Sequence, residues 1–541
     1  MTYLSNLNTV SQSSSTPANA SSILSSPANT HANELKNPAA SFTPAESAST
    51  LVALSSASLQ TSLTYAALNQ PESIAHGQTW ANRSDDKVSA LMARNVAAGN
   101  TSSSRFTGLG SALLGRFKAG SDNFSQTVVN YLASSHDQKS VDKASQTELG
   151  VLQSAPLDKI SLGVQTRSGK TVELVLSRSA TGLGVEVKSS SKLTQAERNA
   201  LSQLASGFEK ATQGVTGIPP RVDIAGLAGY DTKVLSSVDF KSSGSGTLAL
   251  EFHADATQRS LKAALPTGKV ELSVNLSNPA TWGSQAQREK AIGSYLAQVD
   301  KAASRGNADR DLINLFKASF AAIHTSYPTS NTGTSRLADQ DQAMLTGLAD
   351  FQTHIRAEPV KPNPLHLEEV DAFNYQTSQT TRLSGRNNAN RAIIQQQEAK
   401  LNASFHQGLS SAKPPILTDQ KESQNYRYYQ IEDQASSKTS ISYRNGLLDK
   451  ASVEKTARQS THIKQYEMGN LTEERDNPLS RSDSQDFSAT LNDLKTKQIR
   501  GLIDQFDRQY ALNALNEQLF LESSPADLQA PASSRNIRAF S

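Results

Sequence analysis

The chain has 541 residues, no cysteine, and 53 Lys+Arg against 50 Asp+Glu, a formal net charge of +3. Its length suits about two to four ordinary domains. The missing cysteine excludes disulfides, a thiolate nucleophile and Cys-ligated metal clusters, and the balanced charge excludes a basic sleeve for nucleic acid.

Residues 1–60 contain 15 Ser, 6 Thr and 10 Ala, and only three charges, Glu34, Lys36 and Glu46. Such side chains bury too little apolar surface to offset the entropy of ordering, so residues 1–105 read as a disordered Ser/Thr/Ala-rich leader. The start, MTYLSNLNTVSQSSS, has neither a basic n-region nor an apolar core, and no Sec signal peptide is expected. In composition this segment resembles type III secretion leaders. Residues 106–156 read as a partly helical linker. Over residues 61–150 the pattern is intermediate, with helical fragments expected near Asp85–Ala98 and Phe124–Ser134. No apolar run is long enough to give a membrane-spanning helix.

From 157 to 356 the pattern is that of an α+β body. Ile160, Leu162, Val164 and Thr166 alternate, Ser168-Gly169-Lys170 turns the chain, and Val172, Leu174 and Leu176 return. Leu183, Val185 and Val187 make a third run; period two with glycine turns signals antiparallel hairpins. Thr194 and Glu197 have capping-box spacing, and Leu201, Leu204, Phe208 and Ala211 form the stripe of the helix they open. Gly217-Ile218-Pro219-Pro220 ends it. A second β group comes next, with Val238 and Phe240, then Leu248, Leu250 and Phe252, then Leu261 and Ala263, then Val270 to Leu276. Three helices are expected to close the body: Ser284–Arg305, Asp309–Thr325, and Leu337–Arg356 with Met344, Leu348, Phe351 and Ile355 inward. Strands and helices in separate runs indicate antiparallel hairpins packed with helices.

Residues 357–370 are a Pro-rich connector, stiff and extended over Glu358–Pro364. Residues 371–480 are β-rich, with alternation at Phe373, Tyr375 and Thr377, at Leu401, Ala403 and Phe405, and at Thr439, Ile441 and Tyr443. Asn445-Gly446 is the strongest hairpin signal. Ile463 and Tyr466 suggest a further short strand. These strands either extend the first sheet or form a β layer of their own. Residues 481–522 read as one long C-terminal helix, about Ser484–Glu522, that covers this layer or forms a coiled coil with a partner helix. Residues 523–541 read as a frayed tail.

The functional motifs weaken on inspection. Gly163 to Thr171 approaches a P-loop but has five residues before Gly169-Lys170, and Thr171–Leu176 reads as a strand, not a helix. Gly108-Leu109-Gly110 lacks a preceding strand and a third glycine, so it makes no dinucleotide cradle. Ser-x-x-Lys at Ser140–Lys143, Ser189–Lys192 and Ser410–Lys413 is expected by chance. Of nine scattered histidines, none forms a metal-binding pair on one helical face. His366-Leu367-Glu368-Glu369-Val370-Asp371 is the densest donor group; as a strand it puts only His366 and Glu368 on one face. Tyr426-Arg427-Tyr428-Tyr429 reads as two-faced aromatic packing, with Tyr426 and Tyr428 on one side and Tyr429 on the other. No catalytic, cofactor-binding or metal residue is assigned.

Ile218-Pro219-Pro220-Arg221-Val222-Asp223, Leu235-Ser236-Ser237-Val238-Asp239, Leu250-Glu251-Phe252-His253-Ala254-Asp255 and Ala302-Ala303-Ser304-Arg305-Gly306 carry a resemblance to an uncharacterised family of Pseudomonas-type gammaproteobacterial proteins. Ala435-Ser436-Ser437 and Gln459-Ser460-Thr461 extend it, over about two-thirds of the chain. The family implies no activity to carry over; the "lactate dehydrogenase" label attached to some members finds no nucleotide fingerprint or βαβ series here. The expected function is that of a non-enzymatic bacterial interaction protein with an unidentified protein partner. It is expected in the cytoplasm or exported without a cleaved signal peptide, and not integral to a membrane. The alternatives are a cytoplasmic enzyme using dispersed polar residues such as Asp223, Asp239, Glu251 and His253, and an envelope component contacted through its C-terminal helix.

Overall fold

A computed structural model describes residues 75–82, 86–133, 147–148, 150–328, 337–360, 362–410 and 415–529. Residues 1–74 of the leader expected over 1–105 lie outside the described residues. Sixteen strands are present among those described: β1 (Ala75–Trp80), β2 (Phe124–Ala133), β3 (Asp158–Thr166), β4 (Thr171–Arg178), β5 (Gly182–Ser189), β6 (Leu235–Gly244), β7 (Ala249–Asp255), β8 (Gln258–Leu265), β9 (Gly268–Asn275), β10 (Asp350–Ala357), β11 (Ala372–Asn387), β12 (Asn390–Gly408), β13 (Tyr426–Arg444), β14 (Leu447–Glu467), β15 (Asn470–Asp476) and β16 (Leu479–Asp486). All belong to one antiparallel sheet in the order β1-β2-β5-β4-β3-β6-β7-β8-β9-β10-β11-β12-β13-β14, with β15 and β16 both pairing with β14. The β-rich region therefore extends the sheet of the body.

Alternating burial runs through the strands, because one face is packed under helices and the other is not. Phe208 of helix Ala205–Thr216 meets Phe240 edge-on at 6.0 Å. Tyr295 of Gln285–Arg305 and Phe320 of Arg310–His324 meet Phe351 of β10 at 4.8 and 5.2 Å. A second apolar cluster joins Ile393, Ile441 and Val453 to Leu491, Leu512 and Leu515 of the C-terminal helices. The capping box at Thr194 and Glu197 forms as its spacing requires.

Several expectations are corrected. Residues 75–80 and 87–105 are not leader, since β1 and the expected helix, at Lys87–Ala98, stand there, and 106–133 are not linker. Met92, Phe106, Leu109, Leu113 and Phe117 are fully buried, and Ser102 donates to buried Asp158 of β3 at 2.6 Å. Phe124–Ala133 is strand β2, since its pairing with β1 and β5 overrides a weak helical pattern. Residues 337–356 yield only a short helix, Asp339–Ala343, and then β10. Phe351, Thr353 and Ile355 also fit period two, and the unpaired edges of β9 and β11 on either side select the strand. Ile463 and Tyr466 end a strand of 21 residues, not a short separate one.

The long C-terminal helix is replaced by β16, helix Ser488–Ile499 and helix Gln505–Asn516. Gly501 at φ 67° breaks it, and Asp504 caps the next helix by accepting from the Asp507 N–H at 2.7 Å. The described part of the tail is also anchored: Ser523 donates through Oγ to Gln298 at 2.6 Å, and Lys301 pairs with Glu522 and Asp527.

Candidate binding face

The face of the sheet opposite the helices is polar over many strands. Lys241, Glu251, Lys262, Glu271, His354, Gln376, Lys400, Gln434 and Arg458 stand opposite one another on β6 to β14 and form one lateral row. Directly opposed side chains lie about 5 Å apart, so this row alternates sign from Lys241 to Glu271 and then becomes amide and cation. A neighbouring row runs Asp239, His253, Ser260, Ser273, Gln352, Ser378, Glu398, Ser436 and Thr456. Where the two rows cross β8 to β12, they floor a trough of about 610 Å³. Its lining includes Gln258, Lys262, Gln352, His354, Gln376 and Lys400 and contains no Phe, Tyr or Trp. Small-molecule sites are mostly apolar; this trough suits a hydrated, polar surface.

At one end of the same face the β10–β11 connection crosses the sheet in place of a tight turn. The Pro-rich connector is not extended throughout, since turns begin at Asn363. Two successive turns form there, with the His366 N–H donating to Asn363 O at 3.1 Å and the Glu369 N–H to His366 O at 3.0 Å. This strap lies over Tyr426 and Tyr428 of β13, His406 of β12 and Tyr466 of β14. Asn363, Glu369, Gln424 and Tyr426 are each at most 2% exposed. The Tyr426 hydroxyl donates to Glu369 Oε2 at 2.7 Å, and Asn363 Nδ2 donates to Gln424 Oε1 and to the Tyr426 oxygen, both at 2.8 Å.

His406 sits between two carboxylates, with Nδ1 2.6 Å from Asp371 Oδ1 and Nε2 3.4 Å from Glu369 Oε2. Burial pushes its pKa down, but the hydrogen bonds to Asp371 and Glu369 outweigh this and raise it. Burial likewise pushes Glu369 up, and hydrogen bonding from His406 and Tyr426 overcomes it, holding the carboxyl below its usual range. Glu369 Oε1 has no hydrogen-bond partner.

The turns correct the strand reading of residues 366–371. His366, Glu368 and Glu369 each bring a donor atom within 4.8 Å of the others. Three prolines around Asn363 were the signal available in the sequence. The Tyr426, Tyr428 and Tyr429 reading holds: Tyr429 lies on the helix side, stacked on Phe405 at 4.8 Å. Among the described residues, no deep pocket gathers Asp223, Asp239, Glu251 and His253. Asp223 is exposed off the sheet. His253 lies on the open face between Asp239 and Asp255 at 2.8 and 3.3 Å, with side-chain exposures of 37%, 43% and 35%. Lys170 of the P-loop-like segment pairs with Glu197 at 2.9 Å, and the Gly108 N–H donates to Glu209 at 2.7 Å. Turn and helix-start roles account for both glycine motifs.

No protein-family model, no curated protein and no solved structure matches the chain. Among the described residues, no helix is long and apolar enough to cross a membrane.

Proposed function

We propose that the protein is a non-enzymatic interaction module, of the gammaproteobacterial group it resembles, that binds a partner protein on the open face of its sheet. The supporting observation is the uncovered polar row from Lys241 to Arg458, which floors the trough over β8 to β12. Alternating charge supplies orientation and partner selectivity more than raw affinity. The exposed, shallow setting of His253 gives the enzyme alternative no support, and the interrupted C-terminal helices remove the motive for the envelope-component reading. Export without a cleaved signal peptide belongs to the same proposal and rests on the composition of residues 1–60.

Affinity capture under secretion-inducing conditions tests the face by comparing the intact protein with a Lys262→Glu/Lys400→Glu variant. The expected result is a partner lost at least tenfold by the variant; a partner retained equally by both sinks the reading. Fusing residues 1–100 to a reporter tests export separately, and retention of the reporter in secretion-competent cells argues against it.

A further inference from the structure

We propose that the strap holds a divalent transition-metal ion of the zinc class between His366, Glu368 and Glu369. Three observations converge. The three donor atoms lie within 4.8 Å of one another, and His366 Nδ1 is 3.5 Å from Glu368 Oε1. Two ligands about 2.1 Å from a tetrahedral ion are about 3.4 Å apart, so this pair already has the required spacing. Glu369 is 1% exposed, and its Oε1 has no hydrogen-bond partner. A buried carboxylate oxygen left unpaired is costly unless a cation or donor meets it. Its other oxygen is held by Tyr426 and His406, which fixes the carboxylate in place as supporting contacts fix metal ligands.

The remaining histidine–acid groups among the described residues are different. His253, His406 and His462 each spend both ring nitrogens on carboxylates, whereas His366 has one such contact, and its ring is packed on Tyr466 at 4.7 Å. One imidazole nitrogen with two carboxylate oxygens favours Zn²⁺, Co²⁺ or Mn²⁺ over Ca²⁺ and Mg²⁺, which take oxygen, and over Cu(I), which takes sulfur. Two carboxylates neutralise the divalent charge. The ion would tie successive turns of the strap to one another, independently of any partner on the trough.

Full-length protein stripped with a chelator is titrated with Co²⁺ by visible absorption and with Zn²⁺ by calorimetry. One equivalent of each is expected, with Zn²⁺ displacing Co²⁺. Glu368→Gln is expected to weaken binding tenfold or more; Glu368 is 69% exposed in its side chain, so this variant keeps its fold. His366→Gln is expected to abolish the Co²⁺ spectrum, and His462→Gln to leave it unchanged. Absence of saturable uptake, uptake indifferent to both strap variants, or uptake lost only with His462→Gln overturns the proposal.

Discussion

Glu197 concentrates several roles in one carboxylate. It closes the capping box with Thr194, accepts from Ser168 at 2.5 Å and pairs with Lys170 at 2.9 Å. Burial pushes its pKa up, but hydrogen bonds from Ser168, the Thr194 backbone and Lys170 prevail and bring it down to about 2 from 4.5. A carboxyl depressed in the folded state stabilises fully above its unfolded value and loses that contribution as pH falls through its folded value. His324, buried and lowered by desolvation to about 3 from 6.5, has the same sign in a higher window. Acid destabilisation is therefore expected in two stages, one beginning below pH 6.5 and one below 4.5. Glu197→Gln should shrink the lower stage, to which depressed carboxyls such as Glu369 and Asp255 also contribute, and leave the upper stage in place, as read by thermal unfolding from pH 7 to 2. The capping box was legible from spacing. The Ser168 and Lys170 contacts were not, because they join a turn and a helix 27 or more residues apart. Arg259 was equally invisible: it is 2% exposed and donates to the carbonyls of Ile323 and Ala228 at two helix ends.

Elements were readable wherever a single period dominated. The hairpins of β3 to β5 and β6 to β9 follow from alternation and glycine turns. The β13–β14 turn follows from Asn445 and Gly446, at φ 51° and 80°. A Cβ built at Gly446 meets no atom within 4 Å, so Gly446→Ala carries only the backbone penalty. It should cost about 1 kcal/mol in urea unfolding, with no change in m-value. Elements were misread where two periods fit the same residues. Met344, Leu348, Phe351 and Ile355 satisfy a helical stripe, and only the neighbouring strand edges decide for β10. The strap failed for another reason: its turns are set by Asn363 bonding to Gln424 and Tyr426, a segment 61 and 63 residues further along the chain.

Across the molecule, β10 joins what the sequence reads as body and β-rich region. It pairs with β9 over eight residues and with β11 over six. Its Phe351 is 3% exposed and touches Tyr295, Phe320 and His324. Buried amides reinforce the junction: Gln379 donates to Leu348 O and Gln397 to Leu519 O, both at 2.9 Å, and the Tyr295 hydroxyl is 3.2 Å from each of their side-chain oxygens. Phe351→Ala is expected to cost about 3–5 kcal/mol and to lower amide-exchange protection in both β6–β9 and β11–β13. Loss confined to one side would mean that the two halves fold independently. Composition could not reveal this continuity, since glutamine at a strand's inward position reads as solvent-facing until its partners are known.

The pairing of both β15 and β16 with β14 bears on what a wide, unclosed sheet risks. A strand of 21 residues left bare would be a long template for another copy of the chain, the route by which sheets polymerise edge to edge. Here its outer side is shared by segments of seven and eight residues. They carry Glu473, Glu474, Arg475 and Asp476 on one, and Arg481, Asp483 and Asp486 on the other. Short, charged and offset, these segments offer an incoming strand neither length nor register. The last turns of the sheet thus act as a stop against self-templating growth.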